Sequence, residues 1–127
     1  MTATNPAALP MHELITRLRA VGGQDRHRLA AMELLVEHDF WLRRRDFVNG
    51  CVRIDARGGA WIDWRQARSE LDQDEFEPCS STQHAVLDFA IALGQDHYLF
   101  HRMGLGNAGL LIQAACAALG IDRGWAR

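Results

Sequence analysis

The stretch F47-VNGCVRIDARGGAWIDWRQ-A67 (Phe47 to Ala67) decides the fold. "CVRID" and "AWIDW" are two short apolar runs, and "ARGG" between them holds turn residues, so the reading is a β-hairpin. Alternation puts Val52 and Ile54 on one face and Ala60 and Ile62 on the same side of the opposite strand. Asp63 stands three residues before Gln66, a capping pattern that opens a short helix with Trp64, Ala67 and Leu71 inward. Trp61 and Trp64 are an odd step apart and cannot share a face of one strand. Trp64 then turns inward as a helical residue, and Trp61 covers the outer side near Phe40 or Trp41. On this reading the hairpin closes a core, with the arginines as its solvated rim.

Working outward toward the N-terminus, residues 1–9 read as a flexible arm and 10–127 as a single globular domain. Met11, Leu14, Ile15 and Leu18 form one stripe of a helix over 10–21, with Pro10 in its first turn and Gly22-Gly23 at its end. Asp25 is an N-cap for a second helix, striped by Leu29, Met32, Leu35 and Val36. Phe40 and Trp41 lie one heptad before Phe47 and Val48. The helix either runs on to Asn49 or breaks near Asp39 into a separate third helix.

Toward the C-terminus, "LDQDEFEPCSS" is an acidic loop. Ser80 and Gln83 have capping-box spacing before "TQHAVLDFAIAL", a helix apolar on most sides and hence a core helix ending at Gly94. Only the strip of Ala85, Asp88, Ala92 and Gln95 is exposable. Asn107 is read as the cap of "AGLLIQAACAAL", with Gly120 as its left-handed stop. The expected fold class is α+β and mainly helical, with about five helices and one β-hairpin packed around a C-terminal helical core. The last helix is so apolar that it lies buried or forms a dimer seam; burial is favoured, leaving a monomer or weak homodimer.

Composition narrows function. With 48% hydrophobic and 24% charged residues the chain is an ordinary globular protein. No apolar run reaches ~18 residues, so no membrane partner is expected, and no signal peptide is read at the start. Cys51, Cys79 and Cys116 are odd in number and far apart, which fits a reducing cytoplasm. All fourteen basic residues are arginine, a usage that suits phosphate recognition but that a GC-rich genome explains more simply. The net charge of −2 argues against a nucleic-acid footprint over the whole domain. Charge is uneven: from His12 to Arg68 eleven arginines face eight acids, and from Ser69 to Glu77 there are five acids and no base.

Three constellations carry candidate chemistry. Gly104, Gly106 and Gly109 spell G-x-G-x-x-G, but the second strand that a dinucleotide fold requires has no room in "IDRGWAR". Cys79, His84, His97 and His101 approach zinc spacing. A helix of about 15 Å separates His84 from the other histidines, too far for donors that must lie within ~2.3 Å of one ion. The third is the order helix, helix, helix, hairpin, that of a winged helix, with Arg43, Arg44 and Arg45 on the recognition helix and Arg53 and Arg57 on the wing. Asp39 and Asp46 bracket the triplet, and Phe40, Trp41, Phe47 and Val48 narrow its polar face. Asp55 and Asp63 flank the hairpin and read as ion-pair or cap residues at an Arg-rich surface rather than an acid–base pair.

No catalytic residue, metal ligand or cofactor is therefore assigned. The expected function is a small cytosolic, non-catalytic interaction or regulatory protein whose partner is another protein. Its candidate contacts are Arg43, Arg44, Arg45, Arg53 and Arg57 on one side and the acidic Glu70, Asp72, Asp74, Glu75 and Glu77 on the other. The alternative is a winged-helix DNA-binding protein using Arg43–Arg45 and the 51–64 hairpin. "AWIDW", "SST" before "VLDFAIAL", and "GNAGLLIQAACAALG" together resemble small proteins of actinobacteria and their phages over residues ~35–120. The resemblance implies a host class, and phage or mobile-element coding, but no activity.

Overall fold

The computed structural model describes residues 5–22, 25–95 and 100–120. A 3-10 turn at Pro6–Ala8 leads into α1 (Met11–Gly22) and α2 (Arg26–His38). A second 3-10 turn at Trp41–Arg43 precedes α3 (Arg45–Cys51), the antiparallel pair β1 (Val52–Ile54) and β2 (Ala60–Ile62), and α4 (Trp64–Asp72). Then come α5 (Ser81–Gly94) and α6 (Phe100–Leu119). The fold is mainly helical α+β with one hairpin.

Contacts divide the chain into two compact units, Met1–His97 and Tyr98–Arg127, where the sequence reading took 10–127 as one domain.

Local chemistry sets most element ends in the first unit. The Asp25 carboxylate accepts from the backbone N–H groups of His27 and Arg28 (3.0 and 3.1 Å), satisfying two of the free donors of α2. Asp63 does the same for α4 through Gln66 N–H (3.0 Å). Ser80 and Gln83 complete a reciprocal capping box on α5. In the hairpin Val52 faces Ile62, Arg53 faces Trp61 and Ile54 faces Ala60, the register that alternation predicts. The turn is held by Asp55, which accepts from Arg57 and Gly59 N–H, and by Gly58 at φ +86°.

α5 is the central helix, with Leu87, Ala90 and Ile91 fully buried and its main packing against α2. An aromatic cluster sits beside it. Trp41 lies 5.9 Å from Phe47 and 5.4 Å from Phe76, ring centre to ring centre, and the Trp41 indole N–H donates to the Gln83 carbonyl (2.9 Å). Phe76 thus anchors the acidic loop into the core.

Three expectations change, while residues 40–49 follow the second of their two alternatives, a break near Asp39 and a separate third helix. Asp39 takes the left-handed conformation (φ 56°), the chain makes the 3-10 turn, and α3 is only seven residues long. This path delivers Trp41 to Gln83 and Phe76. On α5, Phe89 is exposed as well as Ala85 and Asp88, while Ala92 is buried. Asn107 lies inside α6 and donates to the Met103 carbonyl one turn back (2.9 Å) rather than capping the helix. The first unit's core is built on α2 and α5, not on two C-terminal helices; in the second unit Leu105, Leu110 and Leu119 are exposed. Gly104 (φ 79°, ψ 157°) breaks the helical path of α6, and Gly120 (φ 74°) stands after its last residue, the conformation expected of a stop.

Candidate functional site

In the first unit a concavity of about 800 Å³ opens beside the hairpin. The end of α1 forms one wall through Leu18 and Val21, and α2 adds Arg28 and Met32. Ile62 and Trp64 make the apolar floor, and Gly94 closes it at the end of α5. Trp61 and Arg65 stand at the rim. The floor depends on two glycines. A Cβ on Gly94 would overlap the Trp64 indole, so only glycine lets α5 end against that ring. A Cβ on Gly59 would sit 2.8 Å from Val21 Cγ2, so glycine also sets how close the hairpin lies to α1.

Trp64 is buried, as its capped helix predicts, but Trp61 does not cover Phe40 or Trp41. Its partner in β1 is Arg53, it remains 42% exposed, and its ring borders the groove. The reason is the strand period: Ala60 and Ile62 turn into the core, which sends Trp61 to the other face of β2, away from the aromatic cluster. Three carboxylates also border the groove and each is engaged. Asp25 and Asp63 cap helices, with Asp63 also 3.5 Å from Arg53, and Asp55 holds the hairpin turn. Arg65 is exposed at the rim, with no ion pair among the described residues.

The structure separates the arginines that the sequence groups. Arg44 is structural. Its guanidinium forks onto Asp46 (2.5 and 3.0 Å), donates to the carbonyls of Glu77 and Pro78 (2.8 and 3.3 Å), and lies 5.0 Å from the Trp41 ring centre. Asp46 in turn accepts from Glu77 N–H (2.9 Å) and Phe47 N–H (2.8 Å). Burial pushes the Asp46 carboxyl up, but hydrogen bonds from Arg44 and the two backbone N–H groups outweigh it and hold it below the usual range. Arg43 is exposed and paired with Asp39 (2.6 Å). Arg45, at the first residue of α3, and Arg57, in the hairpin turn, are exposed. No helix presents the triplet as a recognition surface: α3 turns Phe47, Val48 and Cys51 inward.

The acidic group divides likewise. Glu70 is half-buried over Gly50; its carboxylate accepts from Gln66 Nε2 (3.0 Å) and from the Cys51 thiol (3.4 Å). Burial, reinforced by Glu70, pushes the Cys51 thiol far up, so it remains a protonated packing group and not a nucleophile. Asp72 pairs with Arg68 (3.2 Å), which also reaches Asp88 on α5 (2.8 Å). Asp74, Glu75 and Glu77 expose their side chains on the loop.

Cys79 and His84 border a second hollow of about 540 Å³ with Asp74 and Glu77. Among the described residues no three metal-ligating side chains converge; His97 and the His101 side chain lie outside them. Gly106 and Gly109 are helical, so the G-x-G-x-x-G run does not form a phosphate loop. Sequence reasoning missed the groove's Val21, Arg28 and Arg65; the one available signal was Trp61, an aromatic left out of phase with its strand's buried side. Compared with protein-family models, curated proteins and solved structures, the chain finds no match in any of the three.

Proposed function

We propose that the protein is a small regulatory binding protein that engages another protein through the groove beside Trp61, without chemistry of its own. The observation that carries this reading is a half-exposed tryptophan at the edge of a hollow with an apolar floor and a charged border, with Arg28 and Arg65 exposed around it. Trp and Arg beside a desolvated pocket are the residue types that dominate binding energy at protein interfaces. Three free cysteines fit work in the reducing cytoplasm. The resemblance to actinobacterial and phage proteins suggests such a host and a mobile-element origin.

Affinity capture from actinobacterial lysate with wild type and Trp61→Ala in parallel tests it. A partner held by wild type and lost by the variant, with the melting temperature unchanged, supports the groove. Equal capture by both refutes it.

The order α1, α2, α3, β1, β2 favours one second reading, a winged-helix DNA-binding protein. Its contacts would be the exposed Arg43, Arg45 and Arg57, because Arg44 is committed to the loop clamp. Fluorescence anisotropy with mixed-sequence duplex at two salt concentrations decides. Micromolar binding that steepens at low salt and disappears when those three become Gln promotes DNA over protein.

A further inference from the structure

We propose that α6 is the seam of a homodimer, packing antiparallel against α6 of a second copy of the chain, with Ile112 at the two-fold axis. From Met103 to Leu119 the helix carries no charged residue. Whichever side faces outward is therefore uncharged, and a helix apolar all round is normally buried. Leu105, Ile112 and Leu119 are 93%, 50% and 71% exposed. They stand seven residues apart, so they form one line along the helix, as a heptad seam does.

The pattern on that line selects the occupant. Reading outward from Ile112, small residues stand three and four positions away on both sides: Gly109 and Ala108, then Ala115 and Cys116. Leucine stands seven away on both sides, at Leu105 and Leu119. A two-fold interface brings a patch onto its own reverse, so only a surface that reads alike in both directions fits itself along its whole length. This one does: large, small, small, large, small, small, large. The small positions let the two backbones approach, and the large side chains of one copy fill the gaps left by the other. A charged face would repel its own copy across the axis; this face does not.

From Leu105 to Leu119 the seam spans about 21 Å at ~1.5 Å per residue. A single helix face of this length is smaller than a standard interface of ~800 Å² per partner, so the association is expected to be reversible. Cys116 is only 3% exposed and so is already covered within the chain; the contact between copies rests on the exposed Leu105, Ile112 and Leu119.

Sedimentation velocity between ~1 and ~100 µM reads the equilibrium. Wild type is expected to show a sedimentation coefficient that rises with concentration. Ile112→Glu and, separately, Leu119→Glu should weaken association about tenfold or more and leave the melting temperature of the monomer unchanged. Orientation is read by mild oxidation in a Cys79→Ser, Cys116→Ser background. Ile112→Cys should cross-link to itself, and Leu105→Cys should cross-link to Leu119→Cys when the two chains are mixed. A monomer at every concentration overturns the proposal, as does a dimer that survives both glutamates. A glutamate variant that melts earlier as a monomer also overturns it, because the line would then be covered within one chain. Leu105→Cys cross-linking to itself overturns the antiparallel arrangement. None of these readouts involves Trp61, so the groove reading stands or falls separately.

Discussion

Arg43 and Arg44 are adjacent in sequence and opposite in role. Arg43 lies in solvent beside Asp39, whereas Arg44 joins Asp46, two loop carbonyls and an indole face. Urea unfolding should separate them: Arg43→Gln leaves the midpoint unchanged, and Arg44→Gln costs about 1.5–3 kcal/mol, the range for hydrogen bonds to a charged group. The same clamp sets an acid limit. Asp46 has its carboxyl held down in the folded state, so its contribution is complete above the ordinary carboxylate range and fades as pH falls through and below it. Asp46→Asn should flatten the low-pH limb of a melting-temperature profile; an unchanged limb would show that other carboxylates govern it. At the floor of the groove, Trp64→Ala should cost ~3–5 kcal/mol as for a buried aromatic. Gly94→Ala should cost ~1–3 kcal/mol by forcing the indole aside. Both are read by chemical denaturation. Neither Arg44's bonds to the Glu77 and Pro78 carbonyls nor the contact of Gly94 with Trp64 was legible in the sequence, because each spans roughly thirty residues or more.

The elements were legible where their ends are made of neighbouring residues. Asp25, Asp63 and the Ser80–Gln83 pair each satisfy donors two or three positions away, so helix starts follow from short windows. Ser80→Ala should cost about 1 kcal/mol by circular dichroism melts, with little effect elsewhere, since the cap serves only α5. The inward face of the hairpin was legible for the same reason: period-two alternation puts Val52, Ile54, Ala60 and Ile62 on one side. At the third helix the sequence left two alternatives open. Phe40, Trp41, Phe47 and Val48 have helical spacing, yet the chain leaves the helix at Asp39, and Trp41 meets Gln83, forty-two positions on. That hydrogen bond and the long-range ring contact with Phe76 outweigh one more turn of local helix.

At the scale of the molecule, the first unit closes its core on Leu35, Trp41, Phe47, Leu87 and Ile91, all contributed by α2 to α5 and the turn between α2 and α3. A chain ending at His97 should therefore keep a cooperative thermal transition and its helical circular dichroism; loss of the transition would show that α6 is needed for folding. The sequence by itself determined what short-range physics can determine: the mainly helical class, the single hairpin, and the caps of α2, α4 and α5. Those properties depend on periodicity and on donors satisfied within one turn. The tertiary structure alone decided that Arg44 is a clamp while Arg43 pairs with Asp39 in solvent, that Glu70 lies over Gly50, and that Trp61 faces a groove instead of the aromatic cluster. Each of those outcomes depends on which distant surface arrives beside a residue, and a side chain's role follows from that neighbour's charge, shape and access to water.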